Sequence, residues 1–390
     1  MPDERIYLDH HATTPCDPRV LQAMWPWFAE RVGNASSTSH VFGAEARDAV
    51  ESARRLVAEL IGSRPEEIVF TSGATESNNL ALKGLLAGER GPRHLIVNAA
   101  EHRAVLDPAQ RLQRNGCDLT VLPVDRYGQV DPQAVEDALR PETAVVSVMA
   151  ANNEVGTLNP LDGLAEVCAR REVPLHTDAA QAVGHVPINV AAIPIDLMSF
   201  TSHKMYGPQG IGALLIRHRE PPLRLRCQID GGGHERRMRS GTLPVALIVG
   251  FGEACRIAAV ELREEAARLR QLREQLHGKI AAELQDVTLN GHPQERLPGN
   301  LHLSFGGVDG DALLAGLNGL AVSSGSACTS ADPEPSHVLR AMGVPEPLSL
   351  ASLRFGIGRF TTCSQIDRAA EIVTHAVRRL RPGPAIADRR

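Results

Sequence analysis

Three short stretches of the chain carry residue types that could act together. The first, Ser72-Gly73-Ala74-Thr75-Glu76-Ser77-Asn78-Asn79, lies between a predicted strand and a predicted helix. Gly73 permits a tight turn, and Thr75 and Ser77 set hydroxyls beside the free N–H groups of a helix start, which suits a phosphate. An ordinary helix cap would use the same residue types. The second, His176-Thr177-Asp178, ends a predicted strand, where open α/β sheets place ligands. The third, Thr201-Ser202-His203-Lys204, follows another predicted strand and sets a lysine among small polar groups and a histidine.

In combination the three stretches say more than any one of them. A phosphate cradle, a strand-end Asp178 and, 26 residues later, a strand-end Lys204 are the protein groups that pyridoxal phosphate needs. The lysine forms a Schiff base. The acid keeps the pyridine nitrogen protonated, so that the ring can take up electrons from a substrate carbanion. One sheet can present all three. A fourth candidate is Cys328, within Ser323-Ser324-Gly325-Ser326-Ala327-Cys328-Thr329-Ser330. Small polar neighbours do not bury a thiol, so Cys328 can be accessible and, once deprotonated, nucleophilic.

The elements that must position these groups alternate. Short apolar runs at 68–70, 95–99, 119–124, 144–150, 174–177, 197–201 and 211–216 read as strands, and helical spacing recurs at 45–61, 75–86, 105–115, 132–139 and 161–171. That pattern predicts a mainly parallel α/β sheet. Residues 256–284 read as one long amphipathic helix linking two domains, although Leu262, Leu269 and Leu276, spaced by sevens, also fit a short coiled coil. Beyond it, strands at 300–305 and 353–360 and a helix at 365–380 predict a smaller α+β domain. The expected division is a large domain at 16–255, a smaller one from 1–15 with 256–380, and a frayed tail at 381–390.

Composition narrows the function. The chain has 390 residues, a formal charge of −5 and 3% aromatics, so its core must be aliphatic. There is no basic excess to favour nucleic acid, no apolar run near the length of a bilayer span and no apolar signal core at the N-terminus. The expectation is a cytoplasmic protein acting on a small molecule. Seven cysteines are dispersed, no two closer than 28 positions, which argues for reduced thiols and against a zinc motif.

The chain also resembles the cysteine desulfurases of the NifS/IscS type, within the class V aminotransferase family of fold-type-I pyridoxal-phosphate enzymes. The resemblance is carried by residues 8–15, 71–79, Glu101-His102, 152–156, 176–181, Ser202-His203-Lys204, 231–235 with 239–242, 323–330 and Arg354-Phe355. It covers about 6–380 and implies a seven-stranded, mainly parallel sheet with a smaller α+β domain.

Residue by residue, the resemblance implies Lys204 as the Schiff-base lysine, Asp178 as the pyridinium partner and His102 stacked on the ring, assisting proton transfers. Ala74, Thr75, Thr201 and His203 would hold the phosphate, and Gln181 the phenolic oxygen. Asn153 and Arg354 would bind the carboxylate of L-cysteine. Thr242 would reach the phosphate of a neighbouring subunit, implying a homodimer. Cys328 would take the substrate's sulfur as a persulfide, releasing alanine, and pass it to an acceptor such as an iron–sulfur scaffold. No intrinsic metal is implied, although Cys328 could share a cluster with that scaffold. A lyase acting on selenocysteine or on other carbon–sulfur substrates would use the same cofactor groups. Two departures stand out. Ala35 replaces a proline common in relatives, and the tail after Arg381 is short, which leaves the acceptor open.

Overall fold

The computed structural model describes residues 5–87, 93–324 and 335–381. Among the described residues, thirteen strands form three sheets. The largest is built from β2 (Ile68–Thr71), β3 (His94–Asn98), β4 (Asp118–Leu122), β5 (Thr143–Ser147), β6 (Leu175–Asp178), β7 (Leu197–Thr201) and β8 (Gly212–Ile216), in the spatial order β2-β8-β7-β6-β5-β3-β4. Most of these strands are buried along their whole length, which is why they read as continuous apolar runs rather than alternations. All neighbours are parallel except β8, which is antiparallel to both β2 and β7. Consequently β2, β3, β5, β6 and β7 all point the same way, and their C-terminal ends meet along one edge of the sheet.

A second sheet orders β9 (Val287–Leu289), β10 (Asn300–Phe305), β12 (Ser323–Ser324) and β13 (Ser352–Gly356) as β12-β13-β10-β9, all antiparallel. A two-stranded parallel ladder joins β1 (Ile6–Tyr7) to β11 (Leu320–Ala321). Thus the N-terminus lies with the second half of the chain, where Asp9 also bridges to Gly356.

The long helix runs from Val245 to Glu283, 39 residues, and so begins eleven positions before the expected 256. Its first turns, including Ile248, Phe251 and Ala254, are buried in the core of the large sheet. A segment apolar on every side carries no amphipathic period that would join it to the helix expected from 256. The leucines spaced by sevens do not form a coiled coil. Leu269 and Leu276 pack with Leu301, Leu303, Phe305, Phe355 and Val373 in the core of the smaller sheet. One helix therefore belongs to both cores. Among the described residues, no helix is long and apolar enough to cross a membrane.

Candidate active site

The C-terminal edge of the large sheet opens into a cavity of about 580 Å³, within the range of small-molecule and cofactor sites. The structure brings ten of the expected residues to its wall: Ala74, Thr75, His102, Asn153, Asp178, Gln181, Thr201, His203, Lys204 and Arg354. Thr242 is not among them. It is exposed, three residues beyond Arg239. Cys328 lies outside the described residues.

Each group arrives by a local device. The turn after β2 has Gly73 at φ 153°, in the region that favours glycine. Gly212 of β8 passes beneath it so closely that a Cβ there would fall 2.7 Å from the Gly73 Cα. The helix Ala74–Leu86 then begins with no side-chain cap. Its first N–H groups face the cavity without an intrahelical partner. Thr201 ends β7 and His203 follows it, and burial, aided by the Lys204 charge, pushes the His203 imidazole down to about 4.

Asp178 ends β6 and is buried. Its Oδ2 accepts from Asn78 Nδ2 at 2.7 Å and its Oδ1 from the Ala180 N–H at 2.9 Å. His102 caps the helix Arg103–Arg114 with Nδ1, which accepts from the Ala104 N–H at 3.0 Å. A neutral ring so held carries its hydrogen on Nε2. Burial holds the His102 pKa down, against the pull of the Asp178 charge and with the push of Lys204. Lys204 Nζ donates to the carbonyl oxygens of His11 and, at 2.8 Å, of Ala12.

Arg354 on β13 forms the opposite wall. Its Nη1 donates to the Asn153 carbonyl at 2.9 Å, and its Nη2 to Asp9 Oδ1 at 2.9 Å and Ser323 Oγ at 3.0 Å. Its Nε is buried without a partner. A buried donor left open on a cavity wall fits a ligand that brings an acceptor.

Several neighbours had no role in the sequence reading. His11 Nδ1 meets Gln181 Oε1 at 3.0 Å, and Gln181 Nε2 returns a bond to the His11 carbonyl at 2.9 Å. Burial holds this imidazole neutral. Glu101 is fully buried. Its Oε1 accepts from Asn98 Nδ2 and the Met149 N–H, whereas its Oε2 has no partner. Burial, then the Asp178 charge, pushes the Glu101 carboxyl well up. The Glu101-His102 and His10-His11 pairs in the sequence were the available signals.

Glu154 is a further buried carboxyl beside Asn153. It accepts from Ser336 Oγ, and Ser336 in turn caps the helix His337–Ala341 through the Val338 and Leu339 N–H groups at 3.1 Å. Burial pushes its pKa up to about 7, against the Ser336 bond and the Arg354 charge. A raised carboxyl stabilises the fold fully below its unfolded pKa, near 4.5, and loses that contribution as pH rises through 7. We expect the wild type to lose up to about 3 kcal/mol between pH 5 and 8 that Glu154→Gln does not lose. Urea midpoints across that range measure it, and parallel curves for the two proteins would refute it.

The group that such a site fits is pyridoxal phosphate. An uncapped helix start suits its phosphate, a held carboxylate its ring nitrogen, and a lysine lines the same cavity. No cluster of three or more His, Cys, Asp and Glu that could hold a metal occurs among the described residues.

Comparison with known proteins agrees with this chemistry. The aminotransferase class-V family model matches residues 6–369. A cysteine desulfurase IscS from Anaeromyxobacter dehalogenans is 51% identical over 96% of this chain and 93% of its own length. Among solved structures, a NifS-like protein superposes with a TM-score of 0.89 at 34% identity, covering 96% of this chain and all of that one. SspA in complex with cysteine superposes with 0.81 at 34% identity, over 92% of this chain and all of that one. With a match that runs from the N-terminal strand into the closing helix, and half of its residues shared with such a relative, the chain belongs to the aminotransferase class-V family.

Proposed function

We propose that the protein is a cytoplasmic, homodimeric, pyridoxal-phosphate-dependent L-cysteine desulfurase that delivers sulfur through Cys328 to an acceptor such as an iron–sulfur scaffold. The observation that carries the reading is the meeting of Lys204, Asp178, an uncapped helix start and the open Arg354 Nε in one cavity. The class-V family uses this cofactor, and the relatives at half identity are named for this reaction. One of the similar solved structures holds cysteine.

When bound, the cofactor's ring accepts the electron pair left on the substrate's α-carbon. The remaining work falls to the chain. The N–H groups of Ala74 and Thr75, with Thr201 and His203, hold the phosphate. Asp178, fixed by Asn78 and Ala180, holds a proton on the ring nitrogen. Gln181, clamped by His11, faces the phenolic oxygen. Arg354 and Asn153 take the substrate carboxylate. Lys204 Nζ, oriented by two carbonyls, would remove the α-proton, and His102 Nε2 would assist proton movement. The Cys328 thiolate then attacks the substrate sulfur. The carbon–sulfur bond breaks as the sulfur–sulfur bond forms, and the bonding pair stays with the carbon that is protonated to alanine.

Two features support the dimer. Thr242 is exposed, away from its own cavity, and so is free to complete a neighbour's. Trp25, Phe28, Val32, Val41 and Phe42 all stand more than half exposed on one stretch of chain, a patch suited to a second copy. The test adds L-cysteine to the purified protein and follows alanine by amino-acid analysis and the protein by intact mass. The expected result is alanine with a gain of one sulfur on Cys328. Cys328→Ser keeps the cofactor absorbance and gains no sulfur; a Cys328→Ser protein that still gains sulfur sinks the assignment.

A further inference from the structure

The phosphate end of the cavity contains an apparent conflict. The first turn of the helix Ala74–Leu86 offers its N–H groups to an anion, yet its third residue is Glu76, which lines the same cavity. A carboxylate one turn from a bound dianion repels it. Glu76 cannot simply swing into water. Its Oε2 accepts from the Ser72 N–H at 2.8 Å and its Oε1 from Arg239 Nε at 2.9 Å, and its side chain is only 15% exposed.

Arg239 comes from a segment under backbone strain. Glu235, Arg236 and Arg237 have φ of 47°, 55° and 68°, three consecutive left-handed residues, none of them glycine. The run is secured by burial of Glu235, whose carboxylate takes Arg54 Nη1 and Nη2 at 2.8 and 2.7 Å and the Phe70 N–H at 2.7 Å. Phe70 belongs to β2, immediately before the cradle turn. The segment is therefore fastened on one side of that turn by Glu235 and on the other by Arg239.

We propose that Arg239 is a positioning residue for the phosphate end of the site. It cancels the charge of Glu76 and keeps that carboxylate on the Ser72 N–H, fixing the Ser72–Gly73 turn that aims the N–H groups of Ala74 and Thr75. This inference rests on reading the cavity as a pyridoxal-phosphate site. It assigns to Arg239 no contact with the cofactor itself.

The test uses the full-length protein freed of cofactor and measures equilibrium binding of pyridoxal phosphate and of pyridoxal, which has the same ring and no phosphate. Arg239→Gln leaves an uncompensated charge beside the phosphate and raises the Kd for pyridoxal phosphate roughly tenfold, while that for pyridoxal changes less than about twofold. Adding Glu76→Gln to Arg239→Gln restores most of the lost affinity. Equal losses for the two ligands, no loss at all, or no rescue by Glu76→Gln would each overturn the proposal. If Arg239→Gln does not fold, Glu76→Gln alone decides: pyridoxal phosphate binds at least as tightly as in the wild type, and a selective loss of its affinity refutes the role. A wild-type protein that takes up neither ligand overturns the cofactor reading, and the inference falls with it.

Discussion

Lys204→Ala is expected to fold and to lose alanine formation by roughly a thousandfold or more, because in the proposed mechanism one amine serves as both cofactor attachment and α-proton base. The neighbourhood predicts that the loss is chemical rather than structural. Lys204 Nζ is held by carbonyl oxygens of His11 and Ala12, and the backbone there is independently fixed by Gln181 on His11 and by His203 on Thr14. Removing the amine therefore leaves the N-terminal segment in place. Two measurements separate the possibilities. Borohydride reduction followed by intact mass leaves the cofactor's mass on the wild type and not on the variant. Circular dichroism and the thermal midpoint should coincide within a few degrees. A variant that retains a tenth of the turnover would remove Lys204 from its proposed role.

Arg354→Lys is the second large effect, with kcat/KM for L-cysteine falling by roughly a hundredfold and most of the change in KM. A guanidinium has five donors in a fixed plane. Three are committed to Asn153, Asp9 and Ser323, and Nε stays buried and open. A lysine ammonium has three donors and no plane, so holding Asp9, Ser323 and the Asn153 carbonyl consumes its capacity. Charge is conserved, and so the pair with Asp9 and the fold persist. Steady-state kinetics on cysteine check the expectation, and an unchanged KM would place the substrate carboxylate elsewhere. Arg354→Gln should be worse and also less stable, since Asp9 then loses its ion partner.

Which parts of the site could be read before the fold follows from the range of the contacts. The Ser72–Asn79 turn, Asp178 and Lys204 each announce themselves by a local conjunction, a strand end followed by small polar residues, and the sheet then brings these ends together. The seven strands were likewise visible as apolar runs, with ends misplaced by at most three residues. The roles of His11, Asp9 and Glu101 were not readable. They arise from partners 170 positions away at Gln181 and 345 away at Arg354, or, for Glu101, from burial that only the packed sheet creates. The first turns of the long helix escaped for another reason. A helix buried on every side has no polar face to reveal its period.

The arrangement of the N-terminal segment also bears on how the protein is made. β1 pairs with β11 in the register Ile6↔Leu320, and the His10 ring bonds the Gly356 carbonyl, 346 positions away. On the ribosome, residues 6–10 emerge more than 300 positions ahead of these partners. At about 5–20 residues per second the wait is on the order of 15–60 s. Once residue 216 has emerged, the large sheet can be complete while the wall bearing Arg354 does not yet exist. A nascent chain therefore passes through a stage in which the phosphate cradle, Asp178 and Lys204 stand open to solvent. On the proposed cofactor reading, access to these groups is widest then, before residues 6–10 meet residues 320–356 and narrow the entrance.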